Sequence, residues 1–189
     1  MKNGVLALSL LAFAAADSLA AEVTGVKVPD NATVGGQELV LNGAGMRSRL
    51  FLKVYIGALY LPRKTSSAAE ILGGNQPRRM ALALQRDVSA DQLLEAVRAG
   101  LADNHSQAEL DAIQTQVDQF LTIFKLVGQA KTGQLITIDY TPADGTRISL
   151  DGAAKGTIAG EAFGKALFKT WLGEKPVQES LKKALLGAG

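Results

Sequence analysis

There is no cysteine anywhere in this chain of 189 residues. That absence excludes disulfides, zinc–thiolate sites, iron–sulfur clusters, cysteine nucleophiles and lipid attachment through an N-terminal cysteine. Histidine occurs once, at His105, so a multi-histidine metal site is impossible and a catalytic triad is hard to assemble. His105 lies in the polar link Asp103-Asn104-His105-Ser106 and reads as a loop residue between two helices. One loop histidine gives no support for haem, and no cofactor is expected. Aromatics make up only 5% of the chain, and charge is nearly balanced, 20 Lys+Arg against 18 Asp+Glu. With basic residues scattered and no stacking platform, nothing steers the protein to nucleic acid, and no nucleic-acid partner is expected.

The longest uncharged apolar run, Val5 to Ala16, is too short for a permanent bilayer span, which needs roughly 20 residues. It follows Lys2 and precedes Ser18 and Ala20 at the −3 and −1 positions of a cleavage site. This is the pattern of a secretory signal peptide; the alternative is a buried N-terminal helix. We expect residues 1–20 to be the signal, cut after Ala20, and 21–189 to form one domain without a stable membrane anchor. A short Ala- and Leu-rich signal suits a bacterial periplasm.

In the remainder, Val23, Val26 and Val28 suggest strand, Pro29-Asp30-Asn31 and Gly35-Gly36 turn, and Glu38 to Leu41 a short strand. Asn42 to Gly45 is expected to bend the chain before a long strand within Leu50–Leu61. Ser66 or Ser67 caps a short helix ended by Gly73-Gly74, and Met80, Leu82 and Leu84 alternate as in a half-buried strand. Ser89 opens a helix carrying Leu93, Leu94, Val97 and Leu101 on one face. A second helix, 107–126, carries Leu110, Ile113, Val117, Phe120, Leu121 and Phe124 as a broad apolar stripe. A hairpin over Ile136–Leu150 and a short strand from Gly156 precede two closing helices, Gly160–Leu172 and Pro176–Leu186. Strands and helices come in blocks, without regular alternation. The fold class is therefore α+β, a mostly antiparallel sheet with helices packed on one face.

Asp144 and Asp151 read as turn residues, and Gly43-Ala44-Gly45 lacks the later glycine of a dinucleotide loop. One constellation stands out. Arg47 and Arg49 precede the apolar strand that bears Tyr55, and period two puts Arg47, Arg49, Lys53 and Tyr55 on one face. An arginine at the mouth of an apolar cavity binds a carboxylate through its fork, and a tyrosine hydroxyl adds a donor. Parity alone leaves open whether this face is a cleft or a solvated strand edge.

The segments Gly43-Ala44-Gly45-Met46-Arg47, Phe51 to Leu61, Gly145-Thr146, Gly156 to Gly160 with Phe163, and Trp171 to Val177 resemble, in order and spacing, the chalcone isomerase superfamily. The likeness is to its secreted bacterial branch and runs to Leu181–Gly187. The resemblance implies the open-faced β-sandwich of that superfamily, a curved antiparallel sheet with a ligand cleft between sheet and helices. It implies that Arg47 lines the cleft, as the arginine that assists ring closure in the plant isomerases. In fatty-acid-binding members that arginine and a tyrosine on the next strand hold the lipid carboxylate, and Tyr55 falls at about that tyrosine's position. Lys155, or Thr157 if the gap falls differently, stands near the last cleft position. The tyrosine and asparagine that the plant isomerases take from the region matching 76–104 have no counterpart at the matching places. Three functions follow from these readings. The first is binding of a small amphipathic carboxylate through Arg47, Tyr55, Lys155 and Thr157. The second is an isomerase or intramolecular lyase with Arg47 as electrophile. The third is a non-catalytic envelope module, whose cleft would be filled by its own side chains.

Overall fold

The computed structural model describes residues 20–188; residues 1–19, and with them most of the expected signal, lie outside the described residues. A hairpin of β1 (Ala20–Val23) and β2 (Val26–Pro29) leads into β3 (Asn31–Val34), β4 (Gln37–Arg49) and β5 (Leu52–Leu61). Helix α1 (Ala68–Gly73), β6 (Arg78–Leu84) and β7 (Val88–Ser89) follow. Three helices come next, α2 (Ala90–Asn104), α3 (Gln107–Ala112) and α4 (Gln114–Val127), then β8 (Gln129–Ala130). The chain closes with β9 (Leu135–Thr141), β10 (Gly145–Leu150), β11 (Ala153–Ile158), α5 (Glu161–Leu172) and α6 (Glu179–Leu185).

Seven strands form one curled antiparallel sheet in the order β11-β10-β9-β6-β5-β4-β3. Period-two alternation sorts its side chains. Leu59, Met80, Leu82, Ile136, Ile138 and Tyr140 face the helices and join Leu94, Phe120, Phe163, Leu167 and Leu181 in the main core. Ile56, Ala58, Tyr60 and Ala81 face the other way, against Val28 and Val34. Tyr60 Oη donates to Pro29 O at 2.8 Å and ties the first hairpin to that outer face.

Four expectations about local structure are corrected. Gly43 and Gly45 do not separate two strands but lie within β4, a single 13-residue strand that carries a bulge at Asn42. The reason comes from a distant segment: α6 crosses β4 there, and a Cβ at Gly43 would stand 2.1 Å from the Ala184 carbonyl oxygen. The stripe 107–126 is two helices, broken at Ile113, whose buried side chain and φ of −116° sit between them. α3 buries none of its residues, whereas α4 buries Phe120, Leu121 and Phe124, so the break frees α4 to turn its apolar face inward. The last helix starts at Glu179 rather than Pro176, because Gln178 is spent on β4: its Oε1 accepts from Ser48 N at 2.9 Å and its Nε2 donates to Met46 O at 3.1 Å.

The shared face proposed for Arg47, Arg49, Lys53 and Tyr55 is also broken. The β4–β5 register pairs Arg47 with Tyr55 but Ser48 with Lys53, so Val54 is the extra residue of a β-bulge. The bulge shifts the alternation by one, leaving Lys53 exposed on the other side while Tyr55 is buried.

Candidate functional site

A cleft of about 290 Å³ opens between the helix side of the sheet and α2, α4 and α5. That is at the lower end of the roughly 300–1,000 Å³ usual for small-molecule sites. Its floor is Val54 and Tyr55 of β5, Leu82 of β6 and Ile138 of β9. Leu93 and Val97 of α2, Phe120 and Phe124 of α4, and Thr170 and Trp171 of α5 form the walls. α2 is held at its start by a reciprocal cap between Ser89 and Gln92, and Gln92 stands at the exposed rim. The rim also carries Arg49, Leu50, Leu52 and Arg86, all exposed, with half-buried Arg47 beside them.

Arg47 and Tyr55 sit directly opposite each other across the β4–β5 pair and both line the cleft. In antiparallel sheet such a pair has its Cβ atoms roughly 5 Å apart. Gln178 grips the backbone on both sides of Arg47, at Met46 O and Ser48 N, and the guanidinium donates to Ser48 O. At the floor, Trp171 Nε1 donates to Tyr55 Oη at 2.9 Å, which leaves the tyrosine's own proton free to point at a ligand. Thr170 Oγ1, also in the lining, is buried without a hydrogen-bond partner. Among the described residues, every charged one in the lining is an arginine, and no carboxylate or imidazole reaches it. The described lining offers positive charge and hydrogen-bond donors.

Burial raises the Tyr55 pKa above its usual 10.0; the Trp171 hydrogen bond and the nearby Arg47 charge oppose the rise without cancelling it. Burial also raises Tyr140, and pushes Tyr60 up to about 12. These are the only tyrosines of the chain. The neutral phenols are the folded form, so their contribution is fully present below the unfolded pKa near 10 and is lost as pH climbs through the folded values. Tyrosinate absorbance in an alkaline titration should therefore show no step near pH 10 in the folded protein. It should rise at higher pH, together with loss of circular dichroism. A normal step at pH 10 with the fold intact would contradict the burial described.

Of the four residues singled out in the sequence, the structure brings Arg47 and Tyr55 together. Lys155 and Thr157 lie elsewhere, on β11. Thr157 lines a shallow groove against Asp118, Thr122 and Ile123 of α4, and Lys155 is half-buried outside the cleft lining. Gly156, between them, approaches Ile123, and this packs β11 onto α4 away from the cavity. His105 caps the end of α2, its Nδ1 2.9 Å from Leu101 O, and Asp139 is paired with Arg79 on the outer face at 2.6 Å. No group of acids and histidines able to hold a metal exists among the described residues. Reasoning from residue types passed over Thr170, Arg86 and Gln92. It also missed the role of Trp171, although a single tryptophan on an amphipathic helix signals a ring that needs a polar partner.

A curled antiparallel sheet closed on one side by helices, with a ligand-sized cleft between the layers, defines an open-faced β-sandwich. The chain belongs to the chalcone isomerase-like family, whose model matches residues 20–187. Among solved structures it is similar to a fatty-acid binding protein of Arabidopsis thaliana, at 15% identity and a TM-score of 0.67. That match covers 86% of this chain and 92% of the other and bears on the fold. A comparison with curated protein sequences finds no match.

Proposed function

We propose that the protein binds a fatty acid or similar amphipathic carboxylate in this cleft. The observation that carries the reading is the pairing of an apolar interior with a charged lining made only of arginines. Arg47 would neutralise the carboxylate, Tyr55 would donate to it, and Leu93, Val97, Phe120 and Phe124 would enclose the tail. A similarly folded protein being a fatty-acid binding protein supports the same reading. An interaction module would be expected to fill the space with its own side chains; the cavity left among the described residues supports the binding reading instead. Ring closure of a phenol onto an enone gains from a base and an orienting donor set; the lining supplies arginine and no base.

The chain's one tryptophan stands in the wall, so its fluorescence reports on occupancy without interference. Titration of delipidated protein with oleate should change Trp171 emission and saturate at one equivalent. Solvent extraction of untreated protein should release an aliphatic acid detectable by mass spectrometry. An unchanged emission and an empty extract together would end this reading. Tyr55→Phe should weaken oleate binding by about fivefold to tenfold, the value of one hydrogen bond near 1 kcal/mol. It should also lower stability by about 1 kcal/mol, because Trp171 Nε1 loses its acceptor.

The reading includes a place of action in the periplasm, supported by the pattern of residues 1–20. Protein recovered from the periplasm of an expressing bacterium should have the intact mass of a chain beginning at Ala21. Recovery only from the cytosol, with Met1 retained, would count against export.

A further inference from the structure

The β4–β5 hairpin ends at the rim of the cleft in two residues, Leu50 and Phe51, both at positive φ, 49° and 66°. This is the backbone of a type I′ turn, which Asn-Gly adopts without steric cost and which leucine and phenylalanine adopt only under strain. Neither residue gains any burial in return: Leu50 is 82% and Phe51 103% exposed, and Leu52, next to them, is 53% exposed. Three bulky apolar side chains thus project into solvent at the tip of an otherwise ordinary two-residue loop. Cations surround them. Arg49 and Lys53 flank the tip in sequence, and Arg86 joins Arg49, Leu50 and Leu52 along the rim. None of Arg49, Lys53 and Arg86 has a carboxylate within ion-pair distance among the described residues. The acid next to Arg86 in the chain, Asp87, is occupied instead by Lys131 and Thr132.

An apolar tip ringed by unpaired cations matches one surface in both respects: an anionic bilayer, with hydrocarbon below a layer of phosphate. We propose that this hairpin tip docks the protein on anionic phospholipid membrane, with Leu50 and Phe51 entering the acyl boundary and Arg49, Lys53 and Arg86 meeting phosphates. Docked this way, the rim faces the membrane, so an amphipathic ligand would pass between bilayer and cleft without crossing water. The docking rests on the tip and not on the ligand assigned above.

The test is co-flotation with vesicles, without added fatty acid, using protein with the same N-terminus in every case. Wild type should bind mixed phosphatidylglycerol–phosphatidylcholine vesicles at least about tenfold more tightly than pure phosphatidylcholine, and high salt should erase the difference. The double variant Leu50→Asn with Phe51→Gly suits the turn better and should melt no lower than wild type, yet lose about tenfold or more in vesicle binding. Arg49→Glu with Arg86→Glu should bring binding down to the pure phosphatidylcholine level. Undiminished binding by the Asn-Gly variant, or by the charge-reversed one, overturns the proposal. So does a wild type that ignores anionic vesicles, including one that sediments as a dimer which the Asn-Gly variant abolishes. Each of these failures would leave the Trp171 titration with oleate untouched, and a failed titration would leave vesicle binding standing.

Discussion

Arg47→Ala should reduce affinity for oleate by roughly tenfold to a hundredfold, while affinity for the methyl ester of the same acid stays within about twofold of wild type. A charge-assisted hydrogen bond contributes about 1.5–3 kcal/mol, and 1.4 kcal/mol is a factor of ten. Tail burial supplies much of the binding energy but treats acid and ester alike, so the difference between the two ligands isolates the guanidinium. Arg47 is half-buried and donates to the neighbouring Ser48 carbonyl, with its charge also near the Tyr55 hydroxyl, so its truncation should shift stability by no more than about 1 kcal/mol. Arg47→Lys keeps the charge and loses the planar fork, and should recover only part of the affinity. Competition isotherms on the three proteins measure all of this. Equal preference for acid over ester in wild type and Arg47→Ala would remove Arg47 from the site.

The second large effect is on stability. Gly43→Ala puts a methyl 2.1 Å from the carbonyl oxygen of Ala184 and 2.8 Å from that of Leu185. Those oxygens belong to the last turn of α6 and cannot swing aside as a side chain would. The Leu185 carbonyl is further fixed by Asn42 Nδ2, which donates to it at 2.7 Å, while Asn42 Oδ1 accepts from Thr65 N. Accommodating the methyl means lifting α6 off β4, and with it Leu181 and Leu185, both fully buried. Overpacking of this kind costs about 3 kcal/mol, which for a domain of this size is a drop of roughly 6–12 °C in Tm. Gly57→Ala is the comparison. Its added Cβ would meet Leu181 and Tyr55 at 3.5 Å, ordinary contact, and should cost no more than about 1 kcal/mol. Thermal unfolding of the two variants settles the order; equal melting points would mean that α6 yields where the packing says it cannot.

The two glycines also show where sequence reasoning reached its limit. A Gly-x-Gly in isolation signals a turn, because local conformation is all that a sequence window contains. At Gly43 and Gly45 the requirement is for space, imposed by a helix from the other end of the chain. The alternations Met80-Leu82-Leu84 and Ile136-Ile138-Tyr140 were legible because one face of each strand is core. Caps at Ser67 and Ser89 were legible for a local reason too, the side chain bonding its own backbone three residues on. The bulge at Val54 was not, since it depends on the register of two strands, and it alone separated Lys53 from the face of Tyr55. Gln178 gives no sign in sequence that its side chain will act as a strand partner and delay a helix. For the site, residue type and the family resemblance brought Arg47 and Tyr55 forward, but their direct opposition depends on that same bulge, without which Arg47 would face Val54. Lys155 and Thr157 were placed by resemblance across a gap, and one residue of displacement on an edge strand is enough to turn a side chain outward.

The opposition of Arg47 and Tyr55 across one hairpin has an evolutionary consequence. Their separation is set by the backbone ladder between β4 and β5, whereas the walls that would meet a hydrocarbon tail come from α2 and α4. On the function proposed above, head-group and tail recognition would reside on different structural modules. Substitutions at Leu93, Val97, Phe120 or Phe124 could lengthen, shorten or bend the apolar chamber while the anchoring pair keeps its spacing. A scaffold divided in this way would be able to diversify in cargo without having to reinvent its grip.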